Sequence, residues 1–147
     1  MFNELFSEGT KIQQLNVEDA VTEASYPASG AFIDVAEFER IAFLVQAGAL
    51  NSAMVFKVQQ ATAVNGALKD VTGATVSVAA NGDDKWYLIE VQTNKLDINN
   101  DYRYVTLTST GAAGGDDYAA ITFFGINPGS KPVTQGSDKG SVVSVVG

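Results

Sequence analysis

The stretch FERIAFLVQ, residues 38–46, decides the fold. Its apolar side chains fall on both faces of an extended chain: Ile41, Phe43 and Val45 on one face, and Ala42 and Leu44 on the other. A strand that is apolar on both faces is typical of the centre of a sheet that is covered on both sides. We therefore expect this stretch to form a central, buried strand.

Segments with strand character recur on both sides of this stretch. In residues 54–59, Met54, Phe56 and Val58 alternate with a second face that is partly polar, which is typical of a strand with one wet face. Further strands are predicted at residues 30–35, 71–79, 86–91, 102–108 and 118–126. Turns are predicted at Asn65-Gly66, Asn81–Asp84, Asp97–Asp101 and Gly111–Asp117, and a break or bulge at Gly73. We expect a mainly β fold, either an antiparallel β-sandwich or a small β-barrel, jelly-roll-like in its arrangement.

The two ends of the chain differ from this central domain, which we assign to residues 29–127. Residues 1–28 are predicted to form an extended N-terminal arm, with a short helix from Asn16 to Ala24. Residues 128–147 form a Gly/Ser-rich tail that closes on a short, β-prone strand. That terminal segment suits either strand addition to a neighbour's sheet edge or pairing with its own sheet.

Apolar residues at these ends are the candidate partner-binding residues. A cluster of large apolar side chains at a chain end needs a surface that covers it, on a partner or on its own domain. The candidates are Phe2, Leu5 and Phe6 at the start of the chain and Val142, Val143 and Val145 near its end.

Composition argues for binding or building rather than catalysis. The 147 residues include no cysteine and no histidine, so the usual nucleophile, general base and transition-metal ligands are missing. The net charge of −8 argues against nucleic-acid binding and against docking on anionic membranes. The start of the chain has no secretory signal pattern, which predicts synthesis in the cytoplasm. We expect no enzymatic activity and no cofactor.

Three groups of residues are considered as calcium, two-carboxylate or carbohydrate sites. Asp97–Asp101 begins like a calcium loop, but Tyr102 stands where that loop needs glycine, which favours a turn. The pairs Asp83-Asp84 and Asp116-Asp117 lie in glycine-containing loops and are interpreted as solvated turns. Four aromatic residues suit either a carbohydrate-binding patch or core and cross-strand packing: Trp86, Tyr87, Tyr102 and Tyr104.

Several of these strand-and-turn segments resemble small β-rich virion proteins of tailed bacteriophages. The segments that carry the resemblance are Phe56–Ala61, Lys69–Ala74, Trp86–Val91, Leu96-Asp97 and Tyr102–Thr108. The resemblance implies a capsid decoration, or cement, protein that binds the outer surface of the head and bridges capsid subunits. It also implies the major capsid protein as partner, a homo-oligomer with a trimer favoured, and a place on the virion surface. An adhesin or carbohydrate-binding module at a phage tail or fibre is the alternative interpretation.

Overall fold

Two antiparallel sheets pack face to face. The computed structural model describes residues 4–17, 19–112 and 116–145. The strands are β1 (Thr10–Asn16), β2 (Ser25–Tyr26), β3 (Ile33–Asp34), β4 (Phe38–Ala47), β5 (Met54–Ala61), β6 (Lys69–Val78), β7 (Trp86–Gln92), β8 (Tyr104–Thr110) and β9 (Ala119–Pro128). One short α-helix, α1 (Phe6–Gly9), precedes β1, and two 3₁₀ turns, Thr93–Lys95 and Ile98–Asn100, follow β7. Within the described ranges, no helix has the length and hydropathy needed to cross a membrane.

The strand order is that of a jelly roll. The first sheet runs β1-β9-β4-β7, and the second runs β2-β8-β5-β6, with β3 also pairing to β8. Because β2 and β3 lie on the same side of β8, they act as one interrupted strand opposite β1. The two sheets remain separate, so the expected sandwich is confirmed and the barrel alternative is not.

The core lies between the sheets and is built from the faces that the sequence predicted. Strand β4 is central, between β9 and β7, and turns Ile41, Phe43 and Val45 inward. The ring of Phe123 on β9 lies 5.3 Å from that of Phe43, edge to face. Gly125 on the same strand is required because a Cβ atom there would lie 2.7 Å from the buried Phe38 ring. Close packing of this kind makes the core intolerant of added volume.

The predicted bulge at Gly73 is confirmed. Pairing between β5 and β6 shifts register between Lys57 and Gln59, where β6 carries extra residues. Gly73 lies within that stretch with a φ of 80°, a conformation that glycine adopts readily and other residues rarely do. The bulge bends β6 and interrupts the regularity of this edge of the second sheet.

The region assigned to an N-terminal arm is partly built into the sandwich. Residues 10–16 form β1, which pairs along its length with β9. The predicted helix from Asn16 to Ala24 is wrong, since the described residues of this segment are not helical. The reason is tertiary: the Asn16 side-chain Nδ2 donates to the Ala119 carbonyl, and the Val21 backbone N–H donates to the Asp117 carbonyl. These bonds hold the segment in an irregular path along the start of β9.

The first part of the C-terminal tail also packs on the domain. We call residues 131–138 the edge cover, because they lie along the free side of β1. The Gln135 side chain accepts a hydrogen bond from the Ile12 amide at 2.9 Å and donates to the Thr10 carbonyl at 2.7 Å. The Asp138 carboxylate accepts from the Gln14 amide at 2.8 Å. An edge strand whose backbone groups are bonded in this way cannot pair with another chain.

Of the two arrangements predicted for the end of the tail, pairing with its own sheet is not seen in the described residues. Residues 141–145 have no regular secondary structure and pair with no sheet of their own chain. Val143 is 88% exposed and Val145 is 95% exposed. The local β-propensity of this segment is therefore not realised within the described part of the chain.

Two buried hydroxyls on β8 give a paired stability prediction. The Ser109 hydroxyl is buried without a hydrogen-bond partner among the described residues, whereas the Thr106 hydroxyl donates to the Pro27 carbonyl at 2.7 Å. Replacing Ser109 with alanine should raise the free energy of unfolding by about 1 kcal/mol, because an unpaired buried polar atom is removed. Thr106→Val should lower it by about 1 kcal/mol. Urea denaturation of both variants measures the difference, and equal effects would contradict the prediction.

Candidate binding surface

The outer face of the first sheet carries a group of large apolar side chains beside polar ones such as Gln46 and Glu90. In an antiparallel ladder, directly opposed residues point to the same side of the sheet. Phe124 on β9 lies opposite Ile12 on β1, and Leu44 on β4 lies opposite Leu88 on β7. All four side chains point away from the core, as does Trp86 at the start of β7, which is opposite Gln46.

The short helix α1 extends this face beyond β1. The Phe6 ring packs edge to face on Phe124, with 6.5 Å between ring centroids. Phe6 is 66% exposed, Trp86 is 68% exposed and Leu88 is 42% exposed. We define the outer apolar face as the set Phe6, Ile12, Leu44, Trp86, Leu88 and Phe124.

The outside of the second sheet is polar by comparison. Lys57 and Asp70 form an ion pair of 3.0 Å there, and the Gln59 amide donates to the same carboxylate at 2.6 Å. Threonines follow along β8. The contrast between the two sheets is significant, because an exposed group of large apolar side chains marks an interaction surface whereas polar strands suit contact with water. The outer apolar face is therefore the best candidate for a binding surface.

The predicted partner-binding residues lie at two separate places. Phe6 belongs to the outer apolar face, and Leu5 beside it is half-buried. Val142, Val143 and Val145 are exposed on the tail, beyond the edge cover. Phe2 lies outside the described residues. These residues remain predictions. The structure adds Leu88, which the sequence pattern assigns only to a strand, and places Trp86, a candidate for an aromatic patch, on the same surface.

The calcium-like loop is a turn closed by its own side chains. The backbone N–H of Asn100 donates to the Asp97 carbonyl at 3.0 Å, and the side-chain amide of Asn100 donates to the Asp97 carboxylate at 2.8 Å. Lys69 donates to that carboxylate at 2.6 Å. The hydrogen bond from Lys69, followed by that from Asn100, holds the pKa of Asp97 below its usual value. Its oxygens are thus engaged by protein donors.

The interpretation of Asp116-Asp117 as a solvated pair is wrong for Asp117. That side chain is fully buried, and its carboxylate accepts the backbone amides of Asn51 at 2.7 Å and Ser52 at 2.9 Å. Asp116 is exposed. The pair is therefore split between a structural, buried acid and a surface acid, which does not suit two-carboxylate chemistry. Within residues 4–17, 19–112 and 116–145, no three acidic side chains converge as a metal-binding cluster.

The four aromatic residues weighed as a carbohydrate patch do not form one platform. Trp86 points outward from the first sheet, whereas Tyr87 points inward and its hydroxyl donates to the Gly82 carbonyl at 3.1 Å. Tyr102 and Tyr104 lie by the second sheet, where Lys69 and Arg103 stack on their respective rings. Only Trp86 among them is well placed for a partner, and it belongs to the outer apolar face.

Comparisons with known proteins add fold-level likenesses only. The chain matches no protein-family model, and no curated protein is significantly similar to it in sequence. A chain from the Bacillus endospore appendages, described as a novel family of disulfide-linked pili, is similar with 11% identity and a TM-score of 0.42, covering 82% of this chain and 90% of that one. A chain of Triatoma virus has 10% identity and a TM-score of 0.38, covering 86% of this chain and 67% of that one. Both likenesses are too weak to carry conclusions about function.

Proposed function

We propose that the chain is a structural virion protein that binds the outer surface of a phage capsid and stabilises it by bridging capsid subunits. The observation that carries this proposal is the outer apolar face, on which Phe6 of α1 and Trp86 and Leu88 of β7 are exposed on the same side of the first sheet. The jelly-roll fold supports it only as an analogy, since viral shell proteins and lectins share this architecture. The resemblance of the strand segments to phage virion proteins favours a virion role over a lectin-like one.

The physical basis of such a role is contact with several subunits at once. A protein that docks across a joint in the shell adds interface free energy only while the joint is closed. Once the outer apolar face of one copy is bound, further contacts by the same copy form at high effective concentration. Exposed Phe and Trp side chains are the residue types that supply most of the affinity in protein interfaces. A non-catalytic role is part of this proposal.

Location on the particle is the first test. Heads purified from the phage or prophage whose genome encodes the chain should contain the protein, and antibody labelling should place it on the outside of the head. Absence of the chain from these particles, or labelling of the tail alone, would overturn the proposal. The second result would favour the adhesin alternative.

The residue that should matter most for docking is Leu44, at the centre of the outer apolar face. Leu44→Asp should weaken binding to purified heads at least about 30-fold, the effect of losing about 2 kcal/mol at an interface hot spot. Co-sedimentation with heads that lack the protein measures this. Val55→Asp is the matched control, because Val55 is also a half-buried aliphatic residue on a central strand, but it faces outward from the second sheet.

The two variants must first be compared for folding by circular dichroism and thermal unfolding. Phe6→Ala gives an independent variant, since its side chain is mostly exposed and its loss leaves the core untouched. Equal head binding by Leu44→Asp, Phe6→Ala and Val55→Asp would show that the outer apolar face is not the docking surface.

A further inference from the structure

The two edge strands of the first sheet, β1 and β7, differ in whether their outward backbone groups are hydrogen-bonded. Among the described residues, β1 is bonded along its free side by the edge cover, whereas β7, at the opposite edge of the same sheet, pairs only with β4. The Ala47 amide bonds to the Lys85 carbonyl, so the ladder directs the backbone groups of residues 87, 89 and 91 toward β4. The N–H and C=O groups of Trp86, Leu88 and Glu90 therefore point away from the sheet. Within the described part of the chain, no group bonds to them.

The β6 edge of the second sheet is poorly suited to receive a strand. The bulge around Gly73 breaks its regularity, and Lys69 and Asp70 place charges at its start. Both devices are common means of protecting an edge from pairing. Strand β7 has a continuous register over residues 86–92 without a bulge, and Glu90 is the one charged residue within that range.

The end of the tail has the complementary character. Residues 141–145 carry no charge, have no partner strand and expose Val143 and Val145 almost fully. In an extended chain Ser141, Val143 and Val145 would lie on one face and Val142 and Ser144 on the other, so such a strand presents valine on both sides.

The surroundings of β7 offer valine side chains contacts on both sides of an added strand. Outward lie Trp86 and Leu88. Inward lies an open groove of about 540 Å³ between β6 and β7, whose lining includes Ile89 and Val91 as well as polar residues such as Gln92. A strand added to β7 would place alternate side chains on the outer apolar face and in this groove.

The tail cannot reach the β7 edge of its own chain. Asp138 is held at Gln14 on β1, and a strand added beyond β7 would lie four strand spacings from β1, roughly 19 Å away. The three residues from 138 to 141 span at most roughly 11 Å even when fully extended. While the edge cover is in place, the acceptor must therefore be another molecule.

We propose that residues 141–145 of one copy add as a strand to the free edge of β7 in a second copy. This deepens the proposed function by naming the contact that would join copies of the decoration protein. The contact is head to tail, because the donor leaves from the β1 edge and the acceptor is the β7 edge. Repetition of such a contact closes into a ring, such as a trimer, when the rotation between copies allows it.

Two blocked variants test the donor and the acceptor separately. Val143→Asp places a charge on the donor strand and should weaken self-association at least about tenfold, since an unpaired charge would be buried. Gly140→Asp adds the same charge just outside that strand and should associate normally. Glu90→Pro removes an outward N–H that β4 does not use, so it should block the acceptor, whereas Glu90→Ala should not.

Mixing the two blocked variants gives the decisive measurement. Each should sediment as a monomer alone, but together they should form a 1:1 complex, because Glu90→Pro retains an intact tail and Val143→Asp retains an intact β7 edge. Since the chain has no cysteine, single cysteines give a check that needs no proline. Leu88→Cys mixed with Val142→Cys or Val143→Cys should form a disulfide-linked pair, and Lys57→Cys on the second sheet should not.

The proposal fails if the unmodified chain stays monomeric in sedimentation, or if Val143→Asp and Gly140→Asp self-associate equally. It also fails if the mixture forms no complex and neither cysteine pair cross-links. These measurements use no heads and leave Leu44 and Phe6 unchanged, so their failure is distinct from failure of capsid docking.

Discussion

Replacing Asp117 with alanine is expected to lower the free energy of unfolding by about 3 kcal/mol or more. The buried carboxylate accepts two backbone amides, those of Asn51 and Ser52, at 2.7 and 2.9 Å. A hydrogen bond to a charged group contributes about 1.5–3 kcal/mol, and its loss also leaves a buried N–H without a partner. Urea denaturation with a fixed m-value measures the change.

Matched variants separate this effect from a general loss of charge. Asp116→Ala removes the neighbouring acid, whose side chain is exposed, and should change the free energy of unfolding by less than about 0.5 kcal/mol. Asp117→Asn keeps an oxygen acceptor and should retain a large part of the stability. If the alanine variants at positions 116 and 117 were equally stable, the buried carboxylate would not hold the loop at residues 51–52.

Asp116 is exposed and Asp117 is buried, a difference that the local sequence does not predict. Both follow Gly114-Gly115 in a segment whose sequence is typical of a solvated loop. Asp117 is buried because a loop 65 positions earlier in the chain offers it two amide donors. No local pattern encodes such a contact, since it depends on how β9 is placed against the β4–β5 connection.

Strand periodicity, by contrast, was sufficient for the central domain. The alternation in residues 54–59 and the two-sided apolar pattern in residues 38–46 identified β5 and β4, because side-chain direction alternates along any strand. Residues 10–16 lack a clear alternation, and this segment was assigned to an arm. It forms β1 because β9 offers it an open edge, so its structure is set by pairing rather than by its own pattern.

The two-sided apolar pattern that predicts β4 as a central strand does not reveal that one of its faces belongs to the outer apolar face. An apolar residue on both faces of β4 was interpreted as burial on both sides. Leu44 is instead only half-buried, on a face that nothing in the described chain covers. Sequence alone cannot distinguish a face covered by its own chain from one intended for a partner, because both need the same apolar side chains.

Replacing Gln135 with alanine is expected to lower the free energy of unfolding by about 2 kcal/mol and to open the β1 edge. Its side chain accepts the Ile12 amide at 2.9 Å and donates to the carbonyls of Ser7 and Thr10 at 3.1 and 2.7 Å. Three hydrogen bonds at about 0.5–1.5 kcal/mol each, reduced by partial exposure to water, give this estimate. Asp138→Ala breaks only the exposed bond to Gln14 and should cost about 0.5 kcal/mol.

Hydrogen exchange reports on the edge directly, because the amide of Ile12 is protected by a side chain rather than by a neighbouring strand. In Gln135→Ala this amide should exchange much faster, while that of Phe43 at the sheet centre should keep its protection. Gln135→Glu preserves the acceptor for Ile12 but sets a carboxylate against the two carbonyls, so it should protect Ile12 poorly as well. A variant with β1 opened should also aggregate more readily, since its unpaired N–H and C=O groups can bind a strand of another copy. Unchanged exchange at Ile12 in Gln135→Ala would mean that the edge cover does not seal β1, and the contrast between the two edges of this sheet would lose its basis.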